Sequence, residues 1–502
     1  MKAFLMHRNR DLDLRRELPW NEQILKQDLE LNTLFNAMAL GDAFLYEVAE
    51  KTVLTGLYND PDTILYRQDI LKDCLKNSSI VRDLYNLSIE GIESKKKTYW
   101  GIFSFNSPAT ILHSSIELMQ LFVSVLKKLR NFADEHAAQF ESEGFTNLFA
   151  MLKKELGDEY FTEVENHLMA LKFRDGVMIS AELGQGNKGT NYLLCKPHEN
   201  NHGWLKRLFA KKTPGYTFHI HERDESGSRI LSGLRDRGTN LVANALAQSA
   251  DHVLNFFIML RTELAFYVGC LNLHEQLEKI NEPVSFPLPA ASGERTHSFK
   301  GLYDVCLALS LGRRRTVGND VNADNKNLVI ITGANQGGKS TFLRSIGLAQ
   351  LMMQGGMFVP AESFSANVCG GVFTHYKRKE DAAMNSGKLD EELGRMSEIV
   401  DHMTPDSLLL FNESFAATNE REGSEISRQI ISALVEKHIK VFFVTHVYTF
   451  AHDFYDKKMK ESIFLRAERQ ADGKRSFKLI EGEPLQTSFG EDLYKRIFIT
   501  EN

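Results

Sequence analysis

Gly333-Ala334-Asn335-Gln336-Gly337-Gly338-Lys339-Ser340, followed by Thr341, decides how this chain is read. The eight residues fit the G-x-x-x-x-G-K-S/T pattern in full. Ahead of them, Leu328-Val329-Ile330-Ile331-Thr332 is a short unbroken apolar run, the pattern of a strand buried on both faces. Behind them, Thr341-Phe342-Leu343-Arg344-Ser345-Ile346 reads as the start of a helix. Strand, glycine-rich turn and helix in this order make a cradle for phosphate. Glycines let successive backbone N–H groups curl inward, and the helix N-terminus adds partial positive charge. In such a loop Lys339 reaches the β- and γ-phosphates and Ser340 ligates magnesium. Residues Gly333 to Thr341 are therefore candidate nucleotide-binding residues, with ATP and Mg²⁺ as the expected cofactors.

Two further apolar runs follow. Ser407-Leu408-Leu409-Leu410-Phe411 ends in Asn412-Glu413, and Val441-Phe442-Phe443-Val444 ends in Thr445-His446. In ATPases built on this loop, the second strand delivers an acidic pair to the metal and the attacking water. Glu413 is the candidate general base. His446, at the end of the third strand, is placed to sense a γ-phosphate. Ser340, Glu413 and, through water, Asn412 are the candidate metal-holding groups.

Beyond about residue 300 such runs alternate with helical patterns, as in a mostly parallel sheet covered by helices. Upstream the character differs. Leu112, Ile116, Met119, Val123 and Leu126 recur at spacings of three and four, and residues 230–282 carry a similar periodicity. Between these helical stretches, Val177–Leu183, Tyr192–Cys195 and Tyr216–Glu222 read as strands. Pro283, Pro287 and Pro289, with Ser292-Gly293, mark a boundary. The expected architecture is α plus α/β. Residues 1–285 form a long-helix domain with a β-containing insert at about 173–229. Residues 286–502 form the α/β nucleotide-binding domain.

Composition narrows the classes. With 43% hydrophobic and 25% charged residues, wholesale disorder is excluded, and a formal net charge of −6 excludes a uniformly basic polyanion binder. The five cysteines are dispersed without a Cys-x-x-Cys pair, so neither a disulfide framework nor a structural zinc site is expected. No uninterrupted apolar run approaches the ~18 residues of a membrane span. The opening Met1-Lys2-Ala3-Phe4-Leu5-Met6-His7-Arg8 turns polar too early for a signal peptide. A soluble cytoplasmic protein with no membrane partner is expected.

Residues 300–495 resemble the ATPase domain of the MutS mismatch-repair family, within the ABC-type ATPases. The resemblance rests on Gly318-Asn319-Asp320-Val321, on the Gly333–Thr341 loop with its Asn335 and Gly337, and on Gly355–Ala361. It extends to Thr445-His446, Lys478–Gly482 and Ser488-Phe489-Gly490. Upstream, Tyr66–Leu71 is similar to the family's helical core, and the order of long helices, β insert at about 173–229 and returning long helix resembles its core and lever domain with a clamp-like insert. The resemblance implies ATP sandwiched between two subunits of a homodimer, with Ser386 of one covering the nucleotide held by Lys339 of the other. It also implies DNA as partner, recognised by structure rather than sequence. The family's amino-terminal mismatch-reading domain is expected to be missing. Phe161-Thr162-Glu163 has the letters of that domain's wedge but falls in a helical stretch, and is read as coincidence.

Some residues depart from the family pattern. Asn412 stands where the family places Asp, so Mg²⁺ should be held less tightly. The loop Ser414–Gly423 lacks the family's glycines, and the residues after Ser386 match its signature poorly. Lys206, Arg207, Lys211 and Lys212, near Lys196, Trp204 and Phe209, form a locally basic run, which is either a solvated loop or a sequence-blind contact to DNA phosphates. His219 and His221 would share a strand face, but no third ligand accompanies them. The sequence leaves two functions open. One is an ATP-hydrolysing DNA clamp acting in mismatch repair or recombination-related processing. The other is a nucleotide-gated dimerisation scaffold, slow or inactive in hydrolysis, binding protein or RNA.

Overall fold

The computed structural model describes residues 1–99, 107–174, 176–195, 215–312, 315–378, 387–470 and 475–486. The chain is mixed helix and sheet, and it divides into two compact units.

The first unit comprises residues 1–3, 82–140 and 146–261. Its helices are α5 (Ser78–Tyr99), α6 (Pro108–His136), α7 (Glu143–Glu155), α8 (Asp158–Ala170) and the first part of α9 (Glu225–Lys279). Helix α6 begins where Ser107 accepts the N–H of Thr110 and Pro108 takes the first position, a favourable start because proline has no N–H to leave unpaired. The periodic residues Leu112, Ile116, Met119, Val123 and Leu126 are all buried, as their spacing requires. Phe122 packs on Phe257 of α9, with ring centroids 5.9 Å apart. Gly91 of α5 admits that ring, since a Cβ there would lie 2.5 Å from Phe257 Cγ.

The hairpin β1 (Met178–Leu183) and β2 (Gly189–Cys195) is antiparallel and largely exposed. The strand expected at Tyr216–Glu222 does not form among the described residues. Tyr216 and Phe218 are 86% and 88% exposed, so the alternation there finds no layer to pack on. Phe161 and Glu163 lie in α8, as the helical reading required.

The second unit comprises residues 4–81, 141–145 and 262–502. It opens with helices α1 (Glu22–Asp28), α2 (Leu31–Ala39), α3 (Ala43–Thr55) and α4 (Pro61–Lys76). Then come β3 (Leu288–Ala290), β4 (His297–Leu302), α10 (Val305–Leu311), β5 (Asn319–Asn322), β6 (Leu328–Gly333) and α11 (Lys339–Gly355). The chain continues through β7 (Ser363–Asn367), β8 (Val372–Tyr376), α12 (Lys388–His402), β9 (Leu408–Asn412) and α13 (Glu420–Glu436). It finishes with β10 (Lys440–Val444), α14 (Tyr448–Asp456), β11 (Ser462–Arg469) and β12 (Arg475–Glu481).

A six-stranded sheet runs β12-β11-β6-β10-β9-β8, parallel throughout except for the antiparallel β11–β12 pair. A four-stranded sheet runs β3-β7-β4-β5. One face of the larger sheet buries Leu328, Ile330, Leu409, Phe411, Val441 and Phe443 against Met396, Ile399, Ile431, Leu434, Phe450 and Phe454 of α12, α13 and α14. Both faces are covered, which is why β6, β9 and β10 are continuous apolar runs rather than alternating ones.

The amino-terminal helices pack on the loop helix α11, a relationship the sequence reading did not anticipate. Gly347 of α11 sits where a Cβ would meet Leu29 at 2.8 Å, and Gly56 approaches the backbone of Gly355 just as closely. Buried Arg67 donates to the carbonyls of Met6 (3.0 Å) and Gly355 (3.1 Å), tying α4 to the end of α11. Helices α6 and α9 each contain an 18-residue window with mean hydropathy 1.4, enough by length and composition to cross a membrane, contrary to the expectation from uninterrupted runs. Those windows are 50% and 78% buried within the protein.

Candidate functional site

The site is assembled at the carboxyl ends of three adjacent parallel strands, where loops leaving an α/β sheet converge. Strand β6 delivers the Gly333–Ser340 loop, β9 delivers Asn412 and Glu413, and β10 delivers Thr445 and His446. The register of β9 with β10 pairs Asn412 with Val444. The N–H of Glu413 donates to Val444 O (2.9 Å) and the N–H of Thr445 to Ile331 O (3.0 Å), which extends the sheet's bonding into the site.

Backbone conformation explains the loop's glycines. Gly333 and Gly338 have φ of +105° and +86°, and a Cβ on Gly333 would lie 2.8 Å from the backbone nitrogen of Ala467. Gly337 is excluded from bearing a side chain by Ala467 and by Ala334 O. Gly338 is also the N-cap of α11 and supplies no capping side chain, whereas Asp42, Asp60, Asp304 and Asn419 cap their helices within this unit. The first amides of α11 are thus left for an anion.

Lys339 is 6% exposed. Its ammonium donates to Gly333 O (2.9 Å) and Ala334 O (3.0 Å), bent back over the loop. Burial pushes its pKa down, the nearby Glu413 carboxylate opposes this, and Arg475 adds to it. Arg475 also donates through Nε to Asn335 O (3.3 Å), bringing a second cation to the loop. The Ser340 hydroxyl donates to Asn412 Oδ1 (3.0 Å), so the two groups read as metal-holding stand side by side. Glu413 Oε1 lies 3.9 Å from His446 Nδ1, both side chains partly exposed. Glu413 has φ of +55° and Phe415 +59°, conformations that cost a residue with a side chain on the order of 1–3 kcal/mol each.

A pocket of about 400 Å³ adjoins Gly338 and Thr341, lined also by Tyr303, Val317, Phe342 and Phe477. Asn319 helps shape its rim. Its side-chain amide donates to Phe477 O (3.4 Å), and its Oδ1 accepts the N–H of Leu479 (2.7 Å). Aromatic and apolar walls beside a phosphate cradle suit a nucleobase. Sequence reasoning missed Tyr303, Phe477 and Arg475, which carry no local motif and arrive from the residue after β4 and from β12.

Gly333, Ala334, Asn335, Gln336, Gly337, Gly338, Lys339, Ser340 and Thr341 thus lie together with Asn412, Glu413 and His446. Ser386 lies outside the described residues, as do Lys206, Arg207, Lys211 and Lys212. His219 and His221 join no metal-holding cluster: no group of three or more His, Cys, Asp or Glu side chains fit to hold an ion occurs among the described residues.

Comparison with known proteins places these features in a family. Residues 59–280 match the family model of the MutS2 N-terminal domain, and residues 329–501 match that of MutS domain V. The DNA mismatch repair protein MutS of Thermotoga maritima is 38% identical over 131 residues, covering 26% of this chain and 16% of that protein. Its counterpart from Leuconostoc citreum is 26% identical over 280 residues, covering 53% of this chain and 32% of that protein. The Listeria monocytogenes protein of the same name is 30% identical over 187 residues, covering 37% and 22%. The chain thus spans between about a sixth and a third of the length of these relatives. Two domain models matched in order across most of its length, together with these similarities, make the chain a member of the MutS family.

Proposed function

We propose that the chain binds ATP with Mg²⁺ at the Gly333–Ser340 loop, hydrolyses it, and couples this cycle to engagement of DNA as a homodimer. The observation that carries the reading is the convergence of Lys339, Ser340, Asn412, Glu413 and His446 at three neighbouring strand ends, beside a pocket sized for a nucleoside.

Each residue has a role that follows from its position. The uncapped N-terminus of α11 and the loop amides receive the phosphates. Lys339 exchanges its two carbonyl partners for phosphate oxygens, a swap made easier because both partners are neutral. Magnesium would be held by Ser340 and Glu413 and, through water, by Asn412, whose side-chain oxygen stands beside the Ser340 hydroxyl, and it would supply charge neutralisation. Glu413 accepts the proton of the attacking water, and His446 orients that carboxylate and contacts the γ-phosphate. The base and ribose occupy the Tyr303–Phe477 pocket.

A second copy covers the nucleotide through the segment containing Ser386, making ATP a link between subunits. The basic run at residues 206–212 supplies phosphate contacts to DNA. Asn412 favours a slower variant of this cycle, in which ATP acts chiefly as a dimerisation switch, because a neutral ligand draws the metal less strongly than Asp.

The relatives are named for DNA mismatch repair, and this supports DNA as the partner here. The test is a titration of labelled homoduplex, mismatched and branched DNA at two salt concentrations, with and without a non-hydrolysable ATP analogue. Binding that depends on nucleotide and weakens with salt is expected. Absence of binding to every DNA form would overturn the DNA assignment.

A further inference from the structure

Glu413 holds its carboxylate near His446 and Lys339 while its own backbone is in the left-handed region. Strain of this kind persists only where surrounding groups over-determine it. The next residue shows what does so. Ser414 is 2% exposed, and its hydroxyl lies 2.7 Å from His375 Nδ1 and 2.5 Å from His375 O.

His375 is fully buried in β8, where the register pairs it with Phe411 and pairs Tyr376 with Asn412. Its Nε2 lies 2.9 Å from Glu392 O in the first turns of α12. A carbonyl can only accept, so Nε2 carries the ring proton. Burial, with Arg395 nearby, holds the ring's pKa down at about 4, so the ring is neutral near pH 7. Nδ1 is then an acceptor, as is the backbone carbonyl of the same residue, so the single Ser414 hydroxyl proton is shared between His375 O and Nδ1. The imidazole also stacks on Phe415 with centroids 5.0 Å apart and planes 20° apart. Gly423 of α13 closes over the same turn, since a Cβ there would lie 2.4 Å from Phe415 O. The turn after Glu413 is thus gripped on one side by β8 and on the other by α13.

We propose that His375 is a positioning residue for Glu413, acting through the Ser414 hydroxyl and the Phe415 ring to keep the left-handed turn that aims the carboxylate. The inference rests on the reading of Glu413 as general base. It adds a specific dependence of hydrolysis, and not of nucleotide binding, on a buried pair that never touches nucleotide.

The test uses the full chain in single-turnover ATP hydrolysis with protein in excess, alongside titration of a fluorescent ATP analogue with Mg²⁺. Ser414→Ala, which removes only the hydroxyl, is expected to lower the cleavage rate about 10-fold or more while analogue affinity stays within about 2-fold, the pattern of an interaction needed only in the transition state. His375→Gln should lower the rate in the same way, and analogue binding reports whether each variant is folded. In a Glu413→Gln background, Ser414→Ala should add less than about 2-fold, because residues acting as one unit are not additive. Two results overturn the proposal: wild-type rates in both Ser414→Ala and His375→Gln, or full additivity with Glu413→Gln. Failure of the underlying reading is separately visible. Wild-type protein that binds the analogue without ever cleaving ATP, or Glu413→Gln that cleaves at the normal rate, removes Glu413 as base and this inference with it.

Discussion

The hydroxyl of Ser340 and the side-chain carbonyl of Asn412 lie 3.0 Å apart, joining the start of α11 to the end of β9. Seventy-two residues of sequence separate them. In the proposed site Ser340 would hold magnesium directly and Asn412 through water. Only one of them departs from the family pattern, by carrying no charge.

Restoring that charge should therefore be felt at the metal. Asn412→Asp is expected to lower the Mg²⁺ concentration giving half-maximal ATP hydrolysis by roughly 3- to 10-fold, since a carboxylate attracts a hard cation more strongly than an amide oxygen. A magnesium titration of both proteins checks this. An unchanged or raised requirement would show that Asn412 does not face the metal.

Glu413 and His446 should separate binding from turnover. Glu413→Gln keeps shape and loses the proton acceptor, so nucleotide affinity should hold within about 3-fold while kcat falls about 10²-fold or more. His446→Ala should act more mildly, because the 3.9 Å approach to Glu413 orients the carboxylate rather than replacing it. A Glu413→Gln protein turning over at the wild-type rate would move the general base elsewhere.

Packing in the first unit offers a test free of nucleotide. Gly91→Ala places a methyl group 2.5 Å from the Phe257 ring, which must shift. Overpacking of this kind costs about 1–3 kcal/mol. A lowered Tm is expected, partly recovered when Phe257→Leu is added. A neutral Gly91→Ala variant would mean that α5 and α9 are less closely packed than described.

Glu263 of α9 gives a pH dependence. Its buried carboxylate accepts the N–H groups of Leu5 (2.6 Å) and Leu12 (3.0 Å). Burial raises its pKa to about 7, an effect those two bonds oppose. A carboxyl with a raised folded pKa binds its proton more tightly folded than unfolded. Its contribution is fully present below the unfolded value near 4.5 and is lost as pH rises through about 7. That span corresponds to on the order of 3 kcal/mol. Denaturant unfolding at several pH values should show wild type losing stability across this window relative to Glu263→Gln. Parallel curves for the two proteins would remove Glu263 from the account.

Legibility in the sequence followed the range of the interactions. Strands β6, β9 and β10 were readable because strands buried on both faces leave short unbroken apolar runs, and the loop because its glycine positions are dictated by local backbone conformation. The Asn412–Glu413 and Thr445–His446 pairs were readable from their place at the ends of such strands. The association of residues 4–81 with α11 was not, because an apolar helix face does not name its partner. Contacts such as Arg67 to Gly355 O and Asn59 to Gln354 O, and glycines at 56 and 347 admitting neighbours, reveal it. Tyr303 and Phe477 reach the pocket from distant parts of the chain, and His375 meets Ser414 across 39 residues, so no spacing encodes either. Tyr216–Glu222 misled because alternation marks a strand only where a second layer covers one face.

In the proposed function the Gly333–Ser340 loop holds ATP through Lys339. Calorimetric titration of MgATP into the full chain and into Lys339→Ala addresses it directly. Saturable binding to the wild-type protein is expected, with loss of that binding in Lys339→Ala and both proteins equally folded by circular dichroism. No heat of binding to the wild-type chain, or equal affinity in the two proteins, would contradict it.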